Sequence, residues 1–434
     1  MKRLIIFMVL ISIAISSPLL AEGAKESEGK TIRVLLEDTP WHRNIENTIS
    51  QFEEQSGYEV SLEFLPEVQS REKVNLDLTT GTGLYDVFLT DQMYIQKFAK
   101  LDSLEPLDKY VEGEDEYLSD FPKLALETHT HMGNLYGIPW RTAMNILAYR
   151  VDLLEKYDVA VPSSYSELMD AAIKVREGLI ADGEDDVYGI IARGLRGEGL
   201  NMWIIGSSIF PAFCGNWFDE NGEPTINSPQ MVEGLDYYAT LLQKAGSPDA
   251  PSHSWDDCSR LFYAGKGAFY IDSAIQIVNL YSEGGEIAEN VGTTLIPEGP
   301  CGRHPGLYTP AYVMSAKAQN KEAAWEFIKW ATSPEQMLSD AVDGGNYEIA
   351  SKSAIQNPEF EERFPYPELN KVLLDSQKYA REERPMIIAW PQVGDIVGEV
   401  AQRCIAGKVT AQEALDEAQK RVMEIYREQP DSFK

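Results

Sequence analysis

Residues 31–91 read TIRVLLEDTPWHRNIENTISQFEEQSGYEVSLEFLPEVQSREKVNLDLTTGTGLYDVFLTD, and this stretch decides the fold class. Residues 31–36 form a short apolar, β-branched run that stops at Glu37-Asp38-Thr39-Pro40-Trp41. Ile45, Ile49 and Phe52 then recur at helical spacing until Gly57, which closes that helix. Residues 58–65 alternate as a strand and stop at Pro66. Residues 68–78 read as a helix closed by Gly81 and Gly83, and 85–90 as a third strand ending at Asp91. Strand, helix, strand, helix, strand with short links predicts a parallel α/β sheet. Ligands of such open sheets sit beyond the carboxyl ends of the strands. Asp38, Trp41 and Asp91 occupy those ends.

A second α/β pattern starts after Pro139. Residues 146–149 are strand-like, 151–157 a helical turn, and 166–180 an amphipathic helix opened by Ser166 with Glu167 beside it. Residues 187–192, 267–271 and 291–296 read as strands, and a helix over 231–245 follows the Asn221-Gly222 turn and Pro229. The 434 residues allow two or three compact units at roughly 100–200 residues each. With no internal repeat and no low-complexity linker, two α/β lobes joined by short crossovers fit the pattern.

Charge narrows the partners. Asp and Glu total 69 against 38 Lys and Arg, a formal charge of −31. A phosphate-binding surface needs clustered basic residues, so nucleic acid and anionic lipid are poor partners, and nucleic-acid binding is largely excluded. Lys2 and Arg3, an apolar run over 4–15, and then Ser16, Ser17, Pro18 and Ala21 describe a secretory signal peptide over residues 1–21. Residues 22–30 are small and polar and read as a flexible lead. The protein is therefore expected in a periplasmic or other extracytoplasmic compartment. Export permits disulfides among Cys214, Cys258, Cys301 and Cys404, and spacing alone leaves pairing and free thiols equally open.

Catalytic signatures are missing: there is no GxSxG, HExxH, GxxxxGK[ST] or GxGxxG between a strand and a helix. Ser70-Arg71-Glu72-Lys73 matches SxxK without its companion motifs and reads as a solvated helix face. His129-Thr130-His131 sits in a polar stretch before a Gly-Asn turn and the acidic loop 182–186 reads as a surface loop; no metal and no cofactor are expected. Trp325 and Trp330 share one helix and read as packing residues. Trp41, Trp140, Trp203, Trp217, Trp255 and Trp390 follow strands or lie in irregular stretches, several beside a polar group. Sugars present an apolar C–H face fringed by hydroxyls, so a site for them wants aromatic platforms with planar donors and acceptors. These tryptophans point to a carbohydrate site.

Five ordered stretches carry a resemblance to a known family: residues 135–139 (LYGIP) with 147–154 (LAYRVDLL), 217–229 (WFDENGEPTINSP), 262–272 (FYAGKGAFYID), 321–335 (KEAAWEFIKWATSPE) and 406–422 (AGKVTAQEALDEAQKRV). Together they resemble the extracellular solute-binding proteins of bacterial ABC importers, in the sugar-binding group that includes maltose-binding protein. Arg193-Gly194, Gly197-Glu198-Gly199 and the Trp217 segment look closest to the sugar-alcohol and monosaccharide members. The resemblance implies two α/β lobes hinged around a cleft, 31–140 with 306–360 and 141–305 with 361–434. It also implies delivery of a captured sugar or polyol to membrane permease subunits and no catalysis; a monomer is the default, since the sequence shows no exposed heptad seam.

By position in those motifs the resemblance implies ligand contacts from Asp38, Trp41 and Asp91 on the first lobe and Trp140 and Arg141 at the crossover. From the second lobe and the later segments it implies Arg193, Trp217, Asp272, Tyr308, Arg384 and Trp390. The maltose-type members carry an aromatic shortly after the position of Asp272. Here Ser273-Ala274-Ile275 follow, which favours a small ligand over a long maltodextrin. Two other readings stay open. The same fold could take a polyamine, peptide or anion, and 69 acidic residues could hide the carboxylate pair of a glycoside hydrolase.

Overall fold

A computed structural model describes residues 30–283 and 287–433; the expected export segment lies outside them. The 31–91 stretch folds as its periodicity dictates. Strands β1 (Thr31–Glu37), β2 (Glu59–Leu65) and β3 (Val87–Thr90) are joined by helices Ile45–Ser56 and Glu67–Thr80. Gly57 and Gly81 stop those helices at φ 75° and 65°, a conformation that costs other residues Cβ strain. β1 pairs in parallel with both β2 and β3, so the carboxyl ends of all three open on one edge.

Two further strands complete this sheet from far along the chain. β4 (Gly137–Pro139) and β9 (Ala311–Met314) give the order β2-β1-β3-β9-β4, with β9 antiparallel to both neighbours. β9 was not anticipated, because four residues between loops carry too little periodicity. Its burial is complete, as the middle strand of a covered sheet requires.

The second sheet holds β5 (Asn145–Arg150), β6 (Tyr188–Ile191), β7 (Gly267–Ser273) and β8 (Val291–Leu295) in the order β8-β5-β7-β6. The long helix before β6 runs Tyr165–Ala181, and its cap is Ser164 rather than Ser166. Ser164 and Glu167 form a reciprocal capping box that satisfies the first free amides. Helices Pro229–Ala245, Trp390–Ile405 and Ala411–Glu428 pack around one core with Phe210, Trp217 and Trp390. The molecule is a two-lobe periplasmic-binding-protein fold. No described helix is long and apolar enough to cross a membrane.

Three chain segments meet between the lobes, where residues 140–145 lie against 305–310 and 348–350. Ala143 and Tyr308 exchange backbone hydrogen bonds at 2.8 and 3.0 Å, Thr142 N donates to Glu348 O at 2.7 Å, and Ala350 N to Trp140 O at 3.1 Å. Such a narrow backbone seam is the kind of element that absorbs hinge rotation.

Cys214 and Cys301 are disulfide-bonded, while Cys258 and Cys404 are free and buried. The acidic loop 182–186 is indeed at the surface, with Asp182 and Glu184 on Lys156 at 2.8 and 3.0 Å. His129 is buried, with Nδ1 2.7 Å from Ala125 O.

Candidate solute-binding site

A cavity of about 80 Å³ lies where the strand ends face the second lobe. Its aromatic walls are Trp41, Trp203, Trp255 and Tyr308, and its charged lining is Glu37, Glu67, Arg71, Arg141, Arg193 and Arg384. Thr39, Ser273 and Gln276 add neutral polar groups.

Each guanidinium is held by carboxylates. Arg71 pairs with Glu67 and with Asp91 at 2.8 Å. Arg141 is held by Glu348, with Nε 2.9 Å away, and lies 5.6 Å over Trp41 and 5.9 Å over Tyr308. Arg193 grips Asp272 through Nε at 2.8 Å and through Nη2, and Nη1 donates to Gly199 O at 2.6 Å. Arg384 donates to Glu198 at 2.5 Å and to Glu382 at 3.2 Å, and lies 5.2 Å over Trp203. Burial raises the Glu198 and Glu348 carboxyls, and the arginines oppose that shift. Among the described residues, Glu37 lines the cavity without joining any of these pairs; burial, and then the Glu67 charge, push its carboxyl up.

The lobes touch across the cleft. Trp255 Nε1 of the second lobe donates to Glu67 of the first at 3.3 Å. The Gly199 backbone packs so tightly on the Glu67–Arg71 pair that a Cβ there would meet Glu67 Oε1 at 2.7 Å.

Of the residues singled out from sequence, Trp41, Arg141, Arg193, Tyr308 and Arg384 line the cavity. Asp91 and Asp272 stand one layer behind it. Asp91 holds Arg71 and accepts from the Tyr308 hydroxyl at 2.8 Å, and Asp272 holds Arg193. The other four stand elsewhere. Successive strand residues point to opposite faces, so Glu37 reaches the cavity while Asp38 turns out to pair with Arg43 at 2.8 Å. Trp140 is 1% exposed, stacked on His42 at 4.2 Å with its Nε1 on Asp340 at 3.1 Å. Trp217 and Trp390 pack edge to face at 4.9 Å in the second lobe's core, and Trp390 opens a helix rather than sitting in a loop.

Several lining residues were not among the contacts expected from the sequence. Arg71 belongs to the Ser70–Lys73 run read as solvated, yet it turns inward because Glu67 and Asp91 compensate its burial. The available signal was Glu67 four residues ahead of Arg71 on one helix face. Trp203 and Trp255 lie on short helices, so only their indole chemistry marked them.

The model of one family, described as bacterial extracellular solute-binding protein, matches residues 23–338. The chain belongs to that family. This solute-binding protein is 24% identical over 424 residues to a mannitol-binding protein of Pseudomonas aeruginosa, covering 93% of both chains. It is 26% identical over 353 residues to an erythritol/L-threitol-binding protein of Mycolicibacterium smegmatis, covering 74% of this chain and 70% of that one. The crystal structure of an ABC transporter solute-binding protein from Agrobacterium vitis with bound D-mannitol superposes with a TM-score of 0.80. The two chains are 26% identical, and the match covers 92% of this chain and 98% of the other.

Proposed function

We propose that this protein captures a small neutral polyol or sugar in the interlobe cavity and hands it to the permease of an ABC importer. The observation that carries the reading is the neutralisation of the four cavity arginines. Each already holds one or two carboxylates, so an incoming anion would meet a compensated site. Glu37 as the cavity carboxylate outside those pairs gives a polyamine too few partners. Hydroxyl groups can both accept from partly committed guanidinium N–H groups and donate to Glu37. The aromatic walls suit a carbon backbone, and the cavity's size suits one small unit rather than a chain. The polyol names of the similar proteins support the same reading.

In this reading Trp41, Arg141, Arg193, Tyr308 and Arg384 contact the solute, joined by Glu37, Arg71, Trp203, Trp255 and Gln276. The lobes are 31–140 with 306–360 and 141–305 with 361–434, and the chain acts as a monomer exported by its N-terminal apolar segment. Closure follows from the solute's greater affinity for the closed form.

A thermal-shift and calorimetric screen tests this. The panel would hold D-mannitol, erythritol, hexoses, spermidine and phosphate. A polyol or monosaccharide at about 100 times its dissociation constant should add about 2.7 kcal/mol of stability, and it should be recovered unchanged after long incubation. A response confined to spermidine or phosphate, or conversion of a glycoside, would overturn the assignment.

A further inference from the structure

Residues 377–389 connect helix Pro367–Ser376 to helix Trp390–Ile405 and form only turns and bends. This irregular segment nevertheless delivers Arg384 to the cavity with its side chain 1% exposed. Ile387 and Ala389 pack into the second lobe's apolar core, and Ala389 N donates to Ser432 O at 2.9 Å, but at the cleft the segment is held by side-chain bonds. Glu382 accepts from Gln92 of the first lobe and from the Arg384 amide at 3.0 Å, and Arg384 donates to Glu198 at 2.5 Å and Leu307 O at 3.2 Å.

Glu383 sits between those two residues and is held elsewhere. His304 Nδ1 lies 2.7 Å from its carboxylate, and His304 Nε2 lies 3.3 Å from the carbonyl of Cys301. Cys301 is bonded to Cys214 and also donates its amide to Ala212 O at 2.9 Å. A continuous chain of links thus runs from the second lobe's core through the disulfide and His304 to Glu383.

We propose that His304 and Glu383, with the Cys214–Cys301 disulfide behind them, are positioning residues that fasten the 377–389 segment and so fix the Arg384 guanidinium in the cleft. Both imidazole nitrogens face oxygen acceptors, and only the imidazolium donates from both. The clamp is therefore complete when His304 is protonated. Glu383 raises the imidazole's pKa against the effects of burial and of Arg381, the other charged group that faces it. The side chains of His304 and Glu383 are 17% and 18% exposed, so water screens the pair less than it screens a surface ion pair. The Cys214–Cys301 bond ties the loop that carries His304 to the 210–214 segment of the second lobe. The clamp acts on Arg384 whichever solute the cavity takes.

Hydrogen–deuterium exchange on the full-length protein tests this without a solute. In Glu383→Ala, amides of residues 380–387 should exchange at least tenfold faster at pH 6, with β1, β3, β5 and β7 unchanged. In the wild type, protection of the same amides, corrected for intrinsic exchange, should fall from pH 6 to pH 8.5 as the imidazolium is lost. That slope should vanish in Glu383→Ala, which a merely structural role would not produce. Cys214→Ser/Cys301→Ser should loosen the same peptides, and if that variant fails to fold, the Glu383→Ala comparison still decides. Wild-type exchange in Glu383→Ala across the pH range would overturn the proposal and leave the polyol reading standing. Failure of every polyol to bind would do the reverse.

Discussion

Asp272→Ala should be among the most damaging single substitutions outside the apolar core. The Asp272 side chain is fully buried, and that of its partner Arg193 is 8% exposed. Truncation removes two bonds to the guanidinium, from Nε at 2.8 Å and from Nη2, and a third from the Ser273 amide at 2.8 Å. Hydrogen bonds to charged groups are worth about 1.5–3 kcal/mol each, and stripping one partner from a buried pair costs about 3–5 kcal/mol. Arg193 would keep only Gly199 O, at 2.6 Å. The expected loss is thus about 3–5 kcal/mol in equilibrium urea unfolding of the solute-free protein. Arg193→Met/Asp272→Leu, which replaces the pair with apolar groups of similar volume, should cost far less, within about 2 kcal/mol, because no buried charge is left unpaired. A single-variant loss under about 1 kcal/mol would refute the reasoning, and so would a double variant as unstable as Asp272→Ala. Either result would mean that water reaches and screens the pair.

Gly199→Ala places a methyl 2.7 Å from Glu67 Oε1 and 3.1 Å from Arg71 Nη1. It should weaken solute binding by about 1–3 kcal/mol and open the lobes in small-angle scattering, with little change in solute-free melting. The Cys214–Cys301 link spans 87 residues, so its reduction should lower solute-free stability by about 2–5 kcal/mol, read by unfolding with and without reductant. Burial, and then the Arg141 charge, hold His42 near a pKa of about 3 against an ordinary 6.5. The unfolded chain therefore binds a proton that the native state refuses, and stability is lost as pH falls from about 6.5 towards 3. His42→Phe, which keeps a ring against Trp140, should flatten that part of the melting-temperature profile; an unchanged slope would refute the assignment.

Local order was legible because it is written in local pattern. Ile45, Ile49 and Phe52 at helical spacing, and Gly57 and Gly81 in left-handed conformations, need no distant partner to be read. Five cavity-lining residues were named from the sequence for a different reason: Trp41 follows a strand end, and Arg141, Arg193, Tyr308 and Arg384 were expected from the family resemblance. Asp38, Trp140, Trp217 and Trp390 were misplaced because an aromatic or carboxylate beside a loop carries no mark of the direction it faces. For Asp38 and Glu37 the difference is a single step along a pleated strand.

The amino-acid order by itself determined the helices, most strands, the parallel first sheet, the acidic character and the absence of familiar catalytic motifs. Those follow from periodicity, turn chemistry and composition, which act over a few residues or over the whole chain. Only the tertiary structure decided that β9 enters the first sheet from beyond residue 310, that Cys214 pairs with Cys301, and that Arg71 turns inward. It alone brought Asp272 to Arg193, 79 residues apart, and Glu198 to Arg384, 186 apart. Burying an arginine is favourable only where a carboxylate is waiting, and folding, not neighbouring sequence, delivers that carboxylate.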